Sequence, residues 1–167
     1  MNTIPKQPRI LAVSLSTRGF GYAVTEGENM IVDCGKKRIY GDKNAGSLAC
    51  IEKMVAHYQP CFIVLQDVNA KGIRRNKRIK RLHQKVVTLA VEYKLKAVEI
   101  SGKELRATLL GNEDGTKHEM AELLAQRFPD ELASRLPPKR TAWMTADDRM
   151  DIFDAVWLAV VFRMREK

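Results

Sequence analysis

Residues 9–15, Arg-Ile-Leu-Ala-Val-Ser-Leu, run almost unbroken in apolar character. A strand with one wet face alternates apolar and polar residues, so a continuous run of this kind suits a strand covered on both faces. That requirement confines the chain to a sheet sandwiched between other layers. Residues 17–19 then turn the chain, 20–25 read as a second strand, and the polar Gly27-Glu28-Asn29 leads into a third strand over 30–39. Connections this short join antiparallel neighbours, so the first three strands form a meander.

Beyond the meander the period changes. Apolar residues at 48, 51, 54 and 55 predict a helix over 45–57, ending before Pro60. Residues 61–65 form a five-residue apolar run followed by Gln66 and Asp67, a buried strand ending in amide and acid. Positions 79, 82, 86, 89 and 93 mark one stripe of a helix over 74–93. A short strand follows at 96–100, then helices at 102–110 and 117–128 separated by a glycine-bearing loop, an extended Pro137-Pro138-Lys139-Arg140 stretch, and a last helix over 147–164 with Ile152, Val156, Ala159 and Val160 on one face. The order is βββ-α-β-α-β-α with additional helices before the last. It implies a mixed sheet with helices on its faces. No linker or repeat divides the chain, which reads as a single α/β domain over 1–167 with a polar leader at 1–8.

A chain of 167 residues can bury roughly 70% of the surface it exposes when unfolded, so no covalent staple is required. The three cysteines, Cys34, Cys50 and Cys61, are odd in number and contain no Cys-x-x-Cys pair. This argues against a disulfide framework or a zinc ribbon and for a reducing compartment. With no apolar window of membrane-spanning length and no signal-peptide core, the expectation is a soluble, cytoplasmic protein with no membrane partner.

Charge is placed unevenly. No acidic residue occurs between Asp67 and Glu92, and that gap holds Lys71, Arg74, Arg75, Lys77, Arg78, Lys80, Arg81 and Lys85. These eight cations account for all but +1 of the net charge of +9. A solvated helix face mixes signs, whereas eight cations without an interleaved acid fit a polyanion, with nucleic acid ahead of membrane.

The last helix contains Asp151-Ile152-Phe153-Asp154. Positions i and i+3 share a helix face, so both carboxylates can address one point. Paired carboxylates repel unless a cation, a proton or a strong donor lies between them, and two of them make half of a magnesium site. Asp147 and Asp148 are more simply read as capping residues, because Thr145-Ala146-Asp147-Asp148 resembles a capping box. His57 and His83 lie on helices with no partner visible in the sequence, and His118, at a helix start, reads as a surface residue more than a catalyst; Trp143 and Trp157 are read as packing residues.

Three patches together resemble the RuvC-type Holliday-junction resolvases of the ribonuclease H-like superfamily. They are residues 9–24, with an apolar strand, a small polar turn and Gly21-Tyr22; residues 63–68, Ile-Val-Leu-Gln-Asp-Val, before the basic helix; and residues 151–159. The resemblance implies a five-stranded mixed sheet, a three-strand antiparallel meander plus two parallel strands, flanked by helices. It also implies a four-carboxylate site for two Mg²⁺ or Mn²⁺ ions that clamp a scissile phosphate, branched or double-stranded DNA as substrate, and a homodimer.

Carried over position by position, the four carboxylates fall on Ser14, on Gln66 (or Asp67 with a one-residue slip), on Asp151 and on Asp154. Ser14 and Gln66 are neutral, and a hydroxyl or amide is a poor bridge between two hard cations. Ser14 would then hydrogen-bond a metal-bound water or the phosphate. Three accounts stand side by side: one ion held by Asp67, Asp151 and Asp154; a site drawing on Asp147 or Asp148; or nucleic-acid binding without cutting.

Overall fold

The computed structural model describes residues 7–68, 76–111, 115–139 and 147–166. Strands β1 (Arg9–Leu15), β2 (Gly19–Glu26) and β3 (Ile31–Arg38) form the antiparallel meander. Strands β4 (Phe62–Gln66) and β5 (Lys96–Ile100) add in parallel, giving the order β3-β2-β1-β4-β5. The helices are α1 (Lys43–Tyr58), α2 (Lys77–Glu92), α3 (Gly102–Leu110), α4 (Lys117–Arg127), α5 (Pro129–Leu132) and α6 (Met150–Arg165).

The centre of the sheet explains the first strand. β1 lies between β2 and β4, and its side chains alternate between two cores. Ile10 and Ala12 enter the core built on α6; Leu11, Val13 and Leu15 enter the core shared with α1 and α2. Both layers are dry, so no polar face is needed. β5, by contrast, is an edge strand with exposed Lys96, Ala97 and Glu99. Charges there discourage pairing with a second chain.

Helix α6 is more deeply enclosed than a single apolar face predicts. Besides the expected stripe, Phe153, Trp157, Leu158 and Val161 are buried, because the sheet covers one side and α3 and α4 pack on the other. The Trp157 indole N–H donates to the Leu105 carbonyl at 3.0 Å, which satisfies its polar edge inside the core.

Several ends differ from the sequence expectation. Helix α1 begins at Lys43, because the Asp42 carboxylate accepts from the Ala45 N–H at 3.1 Å and starts the helix two residues early. Helix α2 begins at Lys77 and not at Arg74: Asn76 has extended backbone angles and its side chain accepts from the Ile79 N–H at 2.8 Å. Tyr93, expected in the buried stripe, lies past the end of α2 and is 41% exposed, its hydroxyl donating to Glu52 at 2.7 Å. Helix α6 begins at Met150, after the Asp147-Asp148 pair. Thr145 and Trp143, with the rest of 140–146, lie outside the described residues, as do Lys71, Arg74 and Arg75. Among the described residues no helix is long and apolar enough to cross a membrane.

Candidate functional site

The carboxyl ends of β1 and β4 define the site. Ser14 follows Ile10 and Ala12 in parity, and Gln66 follows Val64, so both side chains fall on the face that α6 covers. Gly21 pairs with Ser14 across β1 and β2. A Cβ on Gly21 would lie 2.0 Å from the Asp151 carbonyl oxygen. Absence of a side chain at that one position therefore lets the first turn of α6 settle onto the sheet and sets Asp151 beside the Ser14 position.

Asp151 is deeply placed. Burial pushes its carboxyl up to about 6, and the nearby Asp154 and Asp148 carboxylates push the same way, while Ser16 and Lys117 oppose. The Ser16 hydroxyl is buried beside it without closing a hydrogen bond of good geometry. Asp154, one turn on, accepts from the Lys117 ammonium at 3.2 Å. Asp154 and Lys117, with Gln66, Leu105, Arg106 and Trp157, line a small recess of about 20 Å³. The expected pairing of Asp151 and Asp154 on one helix face is thus present.

Asp147 and Asp148 take other partners. Asp147 is drawn down to about 2, chiefly by hydrogen bonds from the Arg149 side chain, one of them 2.6 Å. Its Oδ1 also accepts from the Arg149 backbone N–H at 2.9 Å, closing a local turn ahead of α6. Asp148 pairs with Lys36 at 2.6 Å and is held below the usual carboxylate range by it. Asp67 lies just past the end of β4, outside strand alternation, and its backbone N–H donates to the Ile100 carbonyl at 2.9 Å. Among the described residues no three His, Cys, Asp or Glu side chains gather to hold a metal ion.

This donor set does not fit a pair of divalent ions. Two of the four positions are neutral. Asp154 already has an ammonium as counter-ion, and Asp151 sits where burial disfavours its charge. Bridging two hard cations needs the opposite arrangement, with several ionised oxygens and no competing cation.

The shift at Asp151 has a sign that can be checked. Its folded value lies above the ordinary 3.8, so the native state binds more protons between about pH 4 and 6. Stability contributed by the protonated form is lost as pH rises through that window. The ionised group then costs up to about 3 kcal/mol at neutral pH. Asp151→Asn should therefore raise the melting temperature at pH 7.5 and leave it nearly unchanged at pH 4. Equal effects at the two pH values in a thermal-denaturation series would contradict this account.

The basic helix divides into two groups. Lys77, Lys80, Arg81 and Lys85 are exposed along α2. Arg78 is half-buried and works inside the fold: its guanidinium donates to Asn44 Oδ1 at 2.9 Å, to the Ser16 carbonyl at 3.3 Å and to the Thr17 carbonyl at 3.4 Å. It ties the β1–β2 turn to both α1 and α2. His83, which showed no partner in the sequence, is buried with Nε2 3.1 Å from Glu99 on β5. His118 likewise faces Glu122 at 2.7 Å, one helical turn away.

Sequence reasoning passed over the cations of the turn and edge strand. Lys36, Lys37 and Arg38 end β3, and Arg18 lies in the β1–β2 turn. Register places them at the same end of the sheet as Ser14, since Gly21 pairs with Lys36 and Gly19 with Arg38. The available signal was the run Lys36-Lys37-Arg38 itself, at the end of a strand close in sequence to the first.

No protein-family model matches the chain, and no curated protein matches it by sequence. Its fold, however, is similar to solved structures over nearly its whole length. The RuvC structure from Thermus thermophilus aligns with a TM-score of 0.69 at 11% identity, covering 95% of this chain and 96% of that one. The T. thermophilus RuvC in complex with a Holliday junction substrate aligns at 0.67 and 12% identity, covering 95% and 97%. The yeast mitochondrial Holliday junction resolvase Ydc2 aligns at 0.62 and 16% identity, covering 95% of this chain and 80% of Ydc2. With the meander, the two parallel strands and α6 laid along β2 from Gly21 to Thr25, this protein has the RuvC form of the ribonuclease H-like fold.

Proposed function

We propose that this protein binds double-stranded or branched DNA across the carboxyl end of its sheet and does so without a two-metal centre. The observation that carries the reading is the row of exposed cations Lys77, Lys80, Arg81 and Lys85 on α2, in a helix whose first acid is its last residue, Glu92. Phosphate contacts from such a row supply affinity and orientation while reading little sequence. Lys71, Arg74 and Arg75 precede the helix in sequence and add three more cations to the same stretch of chain. A similar fold seen with a Holliday junction substrate makes branched DNA the first polyanion to try. Two copies of the chain would suit a junction's symmetry.

A second reading is favoured by Asp151 and Asp154 lying on one face beside the Ser14 and Gln66 positions. Here a single Mg²⁺ or Mn²⁺ would rest on Asp151 and Asp154 alone, since Asp67 does not gather with them. Water and phosphate oxygens would complete its shell and support phosphodiester hydrolysis, with Ser14 hydrogen-bonding a water or phosphate oxygen. Calorimetric titration separates the two. Mg²⁺ and Mn²⁺ are added to wild type and to Asp154→Asn, with and without a four-way junction. The first reading expects junction binding to survive in EDTA and no saturable ion binding in either protein. Saturable binding abolished by the substitution would establish the metal site and replace the first reading with the second.

A further inference from the structure

Tyr40 is the most exposed of the large apolar side chains among the described residues, at 81%. It stands on a short, well-anchored connection. Ile39 before it is buried, and its N–H donates to the Arg18 carbonyl at 2.9 Å. Gly41 after it takes a left-handed turn (φ +77°) into Asp42, the capping residue of α1. The next lysine, Lys43, closes the connection by donating to the Ile39 carbonyl at 2.8 Å. The ring is thus presented on a backbone held at both ends.

Its surroundings are cationic. The Arg38 guanidinium lies 6.0 Å from the Tyr40 ring centroid, and Arg18 occupies the adjoining turn; Lys37 turns to the other face of the sheet, over the Tyr22 ring at 5.9 Å. Asp42 is the acid in this stretch, and its carboxylate serves the α1 N-terminus. An aromatic face left in water and paired with a guanidinium is the composition that takes an unpaired base and its phosphate. The β3 end also stands about 14 Å from β4, three strand spacings across the sheet. Cations there and on α2 therefore flank the site from separate sides.

We infer that Tyr40, with Arg38, forms a stacking platform for an unpaired nucleotide of branched DNA, so that the protein distinguishes a branch point from a continuous duplex. This rests on the DNA-binding reading above and adds the structural feature that is recognised. A paired base in a continuous helix offers no free face, so the platform contributes only where bases are unstacked.

The test uses a fluorescein-labelled four-way junction and a linear duplex of the same arm sequence, both in EDTA. A second junction has 2-aminopurine at the branch nucleotide. Tyr40→Ala should weaken junction binding about tenfold, the scale of a single base–aromatic stack, with duplex binding changed less than about twofold. Tyr40→Phe, which keeps the ring, should restore junction affinity. The 2-aminopurine emission should change on adding wild type or Tyr40→Phe but not Tyr40→Ala. Unchanged junction affinity in Tyr40→Ala, or an equal loss on junction and duplex, would overturn the inference while leaving DNA binding intact. Failure of wild type to bind either DNA would instead bring down the DNA-binding reading, and the platform with it.

Discussion

Gly21→Ala should lower stability by about 3 kcal/mol, the upper range for forcing atoms into a packed interior. For a chain of this size that is roughly 6–12 °C in melting temperature. The reason is geometric: the new methyl would sit 2.0 Å from the Asp151 carbonyl oxygen and 2.3 Å from its carbon, both backbone atoms. No rotamer change relieves such a clash, so α6 must lift from β2. Because Phe153, Val156 and Val160 on α6 belong to the core that the sheet shares with α3 and α4, lifting its first turn loosens more than one residue. Differential scanning calorimetry of the variant checks this, and a shift below about 2 °C would show that α6 does not bear on Gly21 as closely as the geometry requires.

The second large effect concerns binding. Replacing Lys77, Lys80, Arg81 and Lys85 together by Gln should leave the fold intact, since all four are exposed. It should reduce the slope of log affinity against log salt by up to about 3.6, which is about 0.9 for each phosphate that the four cations neutralise. Arg78→Gln provides the contrast. Its guanidinium serves Asn44 and the β1–β2 turn, so the substitution should cost about 1–3 kcal/mol of stability and alter the salt slope little. Fluorescence anisotropy across a salt series, with melting curves for both variants, separates the roles. A quadruple variant with the wild-type slope would remove the ground for assigning α2 to DNA.

These two results bear on different links. The first tests how the chain places Asp151; the second tests what the surface beside it meets. A protein that passes the second and shows no ion binding would be a DNA-binding member of a fold on which the acidic site has been neutralised at Ser14 and Gln66 and counter-charged at Asp154.

Much of this was legible in residue order. The unbroken apolar run at 10–13 announced a strand covered on both faces, and a mixed sheet flanked by helices followed from short turns early and helical spacing later. The Asp151–Asp154 pair was legible too, because three residues along a helix is a fixed geometry. Helix ends were less so: Asp42 and Asn76 start their helices through side-chain hydrogen bonds that compete with neighbouring candidates, and the choice depends on what the first turn packs against. Tyr93 continued the α2 stripe by period yet lies outside it, since the helix stops at Glu92.

Partnerships across the fold could not be read at all. Lys117 is 37 residues from Asp154, Arg78 is 62 from Ser16, and Lys36 meets Asp148 only because β3 and the start of α6 flank the same end of β2. Sequence by itself determined the sheet, its order of elements, the basic helix and the neutral residues at 14 and 66, because each depends on period, local turns or residue identity. Tertiary structure alone decided which charges are answered within the molecule and which face outward. Ion pairs depend on distances between elements, and a linear chain leaves those distances open until the core has packed.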